Sequence, residues 1–421
     1  IIYYRSQMNL FSIFNKNWNS VFCFFGSLNE IDAIFASVNF DFRKIKIDKY
    51  WQWFNYTEEG FGEEDFVEKL TELIKKVSKK SLLIICLEEP FAKSTKTRLS
   101  VIRENPLIPI DNDDLENIIL NLVWRLYDKE RMYVAQQLKI PEWDVVLAEA
   151  KISEPKIDDK KILNPIGFRG KTMSFCLENT YLYYLFWETI KNILESGKGE
   201  LLVCAEKNLL FDKNFSLINK GEKILLVNIG LYSTGVGIMG NYLNSFKHFN
   251  WGKINLEKVI SKKLSVSDKI AKDLIRDYQE NKLSKNAFDW FKKLLEKELK
   301  LLVEGIILVL KDVPQKENIE TIYLSGELQE FPFLLELLEK QKWLQLTYGN
   351  KINIKFYPTS ELIKDLNIEI INYNKNKISN TAIINLNSAF LINENKYEEM
   401  NKILKRRIKW LNKNLLKQTN K

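Results

Sequence analysis

The chain has 421 residues with 45% apolar content, enough for two or three domains with cores of their own, which excludes a small stapled protein and a disordered one. Its 63 Lys and Arg against 55 Asp and Glu give a formal charge of +8; eight of those bases, with no acid among them, fall between Asn401 and Lys421, and the rest is balanced at 55 against 55. A neutral body with one basic end excludes a nucleic-acid protein with a broad positive face and predicts a C-terminal contact with something anionic.

In chain order, Val21–Phe25, the turn Gly26-Ser27-Leu28-Asn29 and Ile31–Val38 predict a β-hairpin. A helix over Glu63–Val77 and a buried strand over Ser81–Leu87 follow. Asp111 is placed to cap a helix running to Tyr127, with Leu115, Ile118, Ile119, Leu122 and Leu126 on one face. Strands over Asp144–Ile152 and Lys171–Leu177 flank the turn-rich Asn164–Gly170, and the aromatic run from Tyr181 to Trp187 predicts a packed helix. The second half repeats this type of order with different residues, and no internal sequence repeat is visible. Lys223–Asn228, Gly235–Met239 and Tyr242–Phe246 predict three meander strands around Gly230 and Gly240. Helices over Leu256–Leu264, Ser267–Asn281 and Asn286–Leu310 precede a short strand at Ile319–Leu324, the turn Ser325-Gly326, and a helix over Phe331–Gln341. Strand, glycine turn and helix is a geometry in which backbone N–H groups can hold phosphate.

The residues exclude several chemistries. His248 is the single histidine, so multi-histidine metal centres are impossible and a Ser/His/Asp triad would have to use it. Cys23, Cys86, Cys176 and Cys204 lie far apart in apolar runs, as expected of buried thiols and not of disulfides or zinc ligands. Glu88-Glu89 precedes a proline and Asp113-Asp114 sits in a helix's first turn, so neither pair is read as an acid/base dyad, and no catalytic residue is assigned. No apolar run reaches the ~18 residues of a spanning helix.

Three segments carry a family resemblance. Asn164-Pro165-Ile166-Gly167-Phe168-Arg169-Gly170-Lys171 resembles an N-P-V-G-M-S-G-x segment, and Leu264-Ser265-Val266-Ser267-Asp268 through Tyr278 resembles L-G-L-S-E followed by a charged helix. Ser325-Gly326-Glu327-Leu328 with Pro332 and Leu334 keeps the spacing of a T-G-G-G-x-x-x-P-x-L adenosine motif. In this order they resemble the bacterial cell-division family FtsA, membrane-bound relatives of actin. The resemblance implies an actin-like (ribonuclease H-like) two-lobed α/β fold with an inserted subdomain. Residues 1–97 and 179–220 would form subdomain IA and 98–178 the inserted IC. Residues 221–245 and 319–392 would form IIA, 246–318 IIB, and 393–421 a short linker and C-terminal helix. It also implies a divisome scaffold at the cytoplasmic face of the cell membrane. There it would bind the FtsZ C-terminal peptide through IIB, associate head to tail with itself and rest on anionic lipid. The rival within the fold is the pilus-assembly family PilM, which needs no basic membrane helix of its own; an active ATP phosphotransferase is a third reading.

The nucleotide motifs depart from the family pattern. The first loop resembles D-I-G-T-S only as Phe24-Phe25-Gly26-Ser27-Leu28, without its acid. The second resembles D-I-G-G-G-T-T-D as Asn228-Ile229-Gly230-Leu231-Tyr232-Ser233-Thr234-Gly235, without either acid. Gly26, Ser27, Asn228, Gly230, Ser233, Thr234, Ser325 and Gly326 are therefore the candidate nucleotide-binding residues of a degenerate site, in which ATP with Mg²⁺ binds weakly or not at all.

The chain ends in a basic amphipathic pattern. At 100° per residue Met400, Leu404, Ile408, Leu411 and Leu415 fall within about 40° of one line, opposite Lys402, Arg406, Lys409, Lys413 and Lys417, with Trp410 beside the apolar stripe. This predicts a helix lying on an anionic membrane through Leu404, Arg406, Ile408, Trp410, Leu411, Lys413 and Leu415. The same pattern also fits a helix docked on the protein's own surface.

Overall fold

The computed structural model describes residues 18–419 apart from 28–29, 56–59, 77–80, 89, 198, 208, 211–212, 215–223, 231–232, 240–244, 312–318, 320, 329–330, 342–352, 358, 366, 372–379 and 393–396. The chain divides into two compact units, residues up to 210 together with 370–421, and residues 211–369.

In the first unit β1 (Trp18–Ser27), β2 (Glu30–Asn39) and β3 (Lys44–Phe54) form an antiparallel meander. Residues Val21–Ser27 are buried without a break, as in a strand covered on both faces. β4 (Ser81–Leu87) joins β1 in parallel. The chain then leaves this sheet to build a second one from β5 (Ala92–Ile102), β6 (Val145–Ile157), β7 (Lys160–Lys161) and β8 (Thr172–Tyr183), in the order β5-β8-β6-β7. It returns as β9 (Gly199–Glu206), parallel to β4, so that the first sheet reads β3-β2-β1-β4-β9 with Glu369–Ile371 added outside β3. Helices Glu63–Ile74 and Tyr184–Glu195 bury Phe66, Leu70, Phe186 and Ile190 against Phe24, Leu83 and Ile85 of that sheet.

The second unit repeats the order. β10 (Ile224–Ile229), β11 (Thr234–Met239) and β12 (Ser245–Phe249) form a meander, β13 (Thr321–Gly326) pairs in parallel with β10, and β14 (Asn353–Phe356) with β13. The sheet reads β12-β11-β10-β13-β14, the same path as β3-β2-β1-β4-β9. The duplication is one of topology, with no trace in the residues. Helices Lys253–Leu264, Asp268–Gln279 and Lys285–Lys311 share a core with this sheet, in which Leu295, Leu299, Leu302 and Ile306 meet Leu225, Val227, Ile322 and Leu324.

Several expectations shift. The strand expected over Tyr242–Phe246 is Ser245–Phe249, and Gly240 to Asn244 lie outside the described residues. The helix expected from Tyr181 starts at Tyr184, because Tyr181 still pairs in β8 with β5 and β6. The helix begun at Asn112 runs past Tyr127 to Leu138. The segment 319–392, expected in one lobe, is divided: helix Asn380–Ile392 packs on β1, β2, β4 and β9 of the first unit. Residues 383–390 of that helix are buried on every side, Asn385, Asn387 and Ser388 among them, so no apolar stripe opposes a polar face for periodicity to reveal.

Two devices hold the four-stranded sheet. The long helix Asn112–Leu138 is capped by Asp111, whose carboxylate accepts from the Asp114 N–H at 2.8 Å. Its buried Glu130 accepts from Thr95 (2.7 Å), Thr97 (3.0 Å), Asn179 (3.0 Å) and Tyr181 (2.7 Å), four neutral donors that clamp the helix across β5 and β8. The second device is the C-terminal helix Glu398–Thr419. β6 meets its outer neighbour β7 only at Lys156 and Ile157, which leaves most of its outer edge without a strand. Asn401 takes that place at Ile152: its Oδ1 accepts the Ile152 N–H at 2.8 Å and its Nδ2 donates to the Ile152 carbonyl at 3.1 Å. A side-chain amide thus stands in for a neighbouring peptide. Met400, Ile403, Leu404 and Ile408 join the core formed by Ile119, Val123, Leu147 and Ile152, and Arg407 donates to Glu116 of the long helix at 2.7 Å.

This corrects the expected lipid contact at two positions. Leu404, fully buried, and Ile408, 8% exposed, face protein because the open edge of β6 supplies the apolar surface their stripe requires. The side chains of Trp410, Leu411, Lys413 and Leu415, and the expected linker Asn393–Lys396, lie outside the described residues.

Two outcomes follow for stability. Leu404→Ala should cost about 2–5 kcal/mol and Asn401→Ala about 1–3 kcal/mol in urea unfolding of the full chain, with exposed Lys405→Ala within about 0.5 kcal/mol of the parent. Unchanged midpoints for the first two would mean an undocked helix. In the second unit Glu257 is 1% exposed and its Oε1 has no hydrogen-bond partner among the described residues. Burial, opposed by Lys253 and Lys272 and aided by Glu327 and Asp268, raises its carboxyl to about 6. The folded state therefore holds this proton more tightly than the unfolded one. The resulting destabilisation is absent below the unfolded carboxyl value, grows between there and about pH 6, and is complete above it. Glu257→Gln should stabilise the protein by about 1–2 kcal/mol at pH 7.5 and by nothing near pH 4; an equal effect at both pH values would refute this.

Candidate functional site

Six of the eight candidate nucleotide residues meet in the second unit, where β10 and β13 end side by side. Asn228 lies opposite Ser325 and Ile229 opposite Gly326, with Gly230, Ser233 and Thr234 in the turn into β11. Gly326 has φ +97°, and a Cβ there would stand 2.2 Å from the Ile229 carbonyl oxygen and 2.7 Å from Asn228 Oδ1. The glycine is required by close packing of its own neighbours.

Among the described residues, the Gly230, Glu327 and Thr234 groups that could hold phosphate are engaged within the protein. The Gly230 N–H donates to the Ser233 carbonyl at 2.8 Å and the Glu327 N–H to the Ile229 carbonyl at 2.7 Å. Thr234 Oγ1 donates to the Trp251 carbonyl at 2.7 Å. Asn228 is buried and neutral where an actin-type ATPase places an acid for Mg²⁺ and its waters. Glu327 brings a carboxylate to the adenosine turn, 3.9 Å from Lys253. Leu231 and Tyr232 lie outside the described residues.

Gly26 and Ser27 belong to the first unit. A Cβ on Gly26 would come within 2.2 Å of the Phe66 ring, so the first loop backs onto an aromatic core. Ser27 Oγ accepts the Glu30 N–H at 3.1 Å and lies 3.3 Å from the Glu30 carbonyl, to which it donates, closing the hairpin. One cation stands nearby that the sequence reading missed: Lys207, just past β9, is buried and donates to Glu88 at 2.5 Å, while Glu88 donates its own N–H to the Gly26 carbonyl at 2.8 Å. Burial alone would lower the ammonium pKa, but Glu88 and then Glu30 raise it above the ordinary lysine value. Its charge is matched by protein carboxylates. Among the described residues of these turns, the Gly230, Glu327 and Lys207 donors are committed to protein acceptors. Among the described residues no group of three or more His, Cys, Asp or Glu is arranged to hold a metal, and the four cysteines are free and buried, as expected.

A different concavity lies in the first unit. Between the long helix and the C-terminal helix, Leu120, Trp124, Leu147, Leu404 and Ile408 line a cavity of about 330 Å³, with Arg407 at its margin. Trp124 is 38% exposed and closes one side. An apolar slot of this kind suits a short apolar segment; the Arg407 guanidinium beside it is already paired with Glu116 at 2.7 Å. Sequence reasoning placed Leu404 and Ile408 on one stripe and had no means of finding Leu120 and Trp124 opposite them.

No protein-family model and no curated protein sequence matches the chain. Among solved structures it is similar to one described as the PilM-PilN type IV pilus biogenesis complex, with TM-score 0.50 and 11% identity over 88% of this chain and 96% of that one. Weaker matches include the ethanolamine utilization protein EutJ from Carboxydothermus hydrogenoformans, with TM-score 0.34 and 9% identity over 80% of this chain and 84% of that one. Another is a Bacteroides thetaiotaomicron protein with an actin-like ATPase fold, with TM-score 0.36 and 8% identity over 81% and 92% of the two chains. At such identities the likeness extends to the fold alone. Together with the duplicated strand order, it gives this chain the actin-like ATPase fold.

Proposed function

We propose that this chain is a non-catalytic actin-fold adaptor of the PilM kind, which holds a short apolar segment of a membrane-protein partner at the cytoplasmic face of the membrane. The observation that carries the reading is the docked C-terminal helix. Its apolar side chains from Met400 to Ile408 are core, so the feature that separated an FtsA-like lipid anchor from a PilM-like protein is turned inward over that stretch. The internally satisfied loops support an adaptor over an ATP phosphotransferase. The pilus protein named with the matched structure makes a PilN-type peptide the natural first ligand.

A second reading, the FtsA-like scaffold binding the FtsZ C-terminal peptide and anionic lipid, draws support from the outward face of the same helix. Lys402 and Arg406 have 57% and 69% exposed side chains there, beside exposed Lys405.

Titrating the full chain with a PilN peptide and with an FtsZ C-terminal peptide separates the two. Saturable binding of the first, weakened at least tenfold by Trp124→Ala, is the expected result; binding of the FtsZ peptide alone would favour the scaffold. Calorimetry with Mg²⁺-ATP should show no micromolar affinity and no turnover, and Asn228→Asp alone should restore neither, because the Gly230 and Glu327 donors stay engaged. Micromolar affinity with turnover in the parent protein would overturn the non-catalytic reading.

A further inference from the structure

At the far end of the four-stranded sheet two loops are laced together. Arg103, its side chain 3% exposed, donates to the Gly170 carbonyl at 3.1 Å, to the Ile108 carbonyl at 2.9 Å and to Asp114 at 2.9 Å. The Gly170 N–H donates to the Pro106 carbonyl at 3.1 Å, the Gly167 N–H to the Ile110 carbonyl at 2.8 Å, and the Ile110 N–H to the Phe168 carbonyl at 2.9 Å. Substitution at Gly170 would drive a Cβ to 2.2 Å from Ile157, so the pair of loops is packed as well as bonded.

This rigid frame displays apolar groups to solvent: Leu107 is 83% exposed, Ile102 69%, Leu163 67%, Ile108 57% and Phe168 50%. At roughly 100 Å² each the crest offers about 500 Å², near the upper end for a patch on a monomer that binds nothing. The charges around it are sorted by loop. Glu104, Asp111 and Asp113 are exposed on the first, whose one base, Arg103, is buried and paired; on the second and its approach exposed Lys160, Lys161, Arg169 and Lys171 outnumber exposed Asp158 and Asp159, so that loop is net basic.

We propose that this crest is a two-fold self-association surface, on which a second copy of the chain packs its own crest with the acidic loop of each facing the basic loop of the other. Three features select this occupant. Two crests together bury about 1,000 Å², where specific interfaces begin. An acidic loop beside a basic one is self-complementary under a two-fold axis, since each contact occurs twice with the roles exchanged. An anionic bilayer would be repelled by the acidic loop, which argues against a lipid ligand for the same apolar groups. The contact is isologous, unlike the head-to-tail association that the FtsA resemblance implies, and it is independent of which peptide the adaptor holds.

Sedimentation velocity of the full chain from about 1 to about 100 μM should show a concentration-dependent dimer. Leu107→Asp with Phe168→Asp, both at exposed positions, should weaken it at least tenfold with unchanged thermal unfolding. Glu104→Lys with Asp113→Lys should weaken it alone, as should Arg169→Glu with Lys171→Glu, and an equimolar mixture of these two variants should restore it. The proposal is overturned by a monomer across the whole range, by a dimer indifferent to the crest substitutions, or by charge variants that do not rescue each other. Loss of phosphatidylserine vesicle binding in the crest variant, with mass in solution unchanged, would assign the crest to lipid and overturn it as well.

Discussion

A strand edge with no neighbouring strand along most of its length needs cover, and among the described residues of this protein a helix supplies it. β6 pairs with β8 along its inner edge, while its outer edge meets a strand only at Lys156 and Ile157. The amide of Asn401 supplies the missing pair of hydrogen bonds at Ile152, and the apolar stripe beginning at Met400 covers what remains. Much of the functional reading depends on this substitution. It turns an apparent lipid-seeking surface into core, leaves the basic side outward, and creates one wall of the slot beside Trp124.

The nucleotide loops show the opposite relation between fold and chemistry. Two sheets with the same strand order bring β1 beside β4 and β10 beside β13, as an actin-like fold requires. The turns at their ends keep glycine but have lost the acids. Gly26 packs against Phe66 and Gly326 against the Ile229 carbonyl, so steric demands of the fold alone require glycine at both positions, with or without a ligand. Lys207 is paired with Glu88 in the first unit, and in the second the N–H donors of Gly230 and Glu327 are taken by the Ser233 and Ile229 carbonyls.

What the sequence revealed follows from how each element is buried. Val21–Phe25 and Ser81–Leu87 are central strands, and their unbroken apolar runs were legible. Asp111 announced its helix because capping is local chemistry between residues three apart. β3 and β5 were missed because their charged and hydroxyl residues sit on half-exposed strands; β3 alternates buried Ile45 and Ile47 with charged neighbours over too short a stretch to stand out, and β5 has few apolar residues before Leu99. The C-terminal helix was read correctly as amphipathic and wrongly assigned to lipid at Leu404 and Ile408. An apolar stripe records that something covers it; whether lipid or the edge of β6 does so is decided by pairing more than 240 residues away, which no local pattern carries. The candidate slot was invisible for the same reason, since Leu120 and Leu404 come from opposite ends of the chain.

The covering helix also imposes an order on biosynthesis. β5, β6 and β8 are complete once Tyr183 has been made, but Asn401 is translated more than 200 residues later. At about 5–20 residues per second the edge of β6 waits on the order of 10–40 s on the ribosome without its cover. During that interval the nascent chain presents an open strand beside the apolar surface of Ile119, Val123 and Leu147. Met400 to Ile408, made long after the strands, are the residues that seal it.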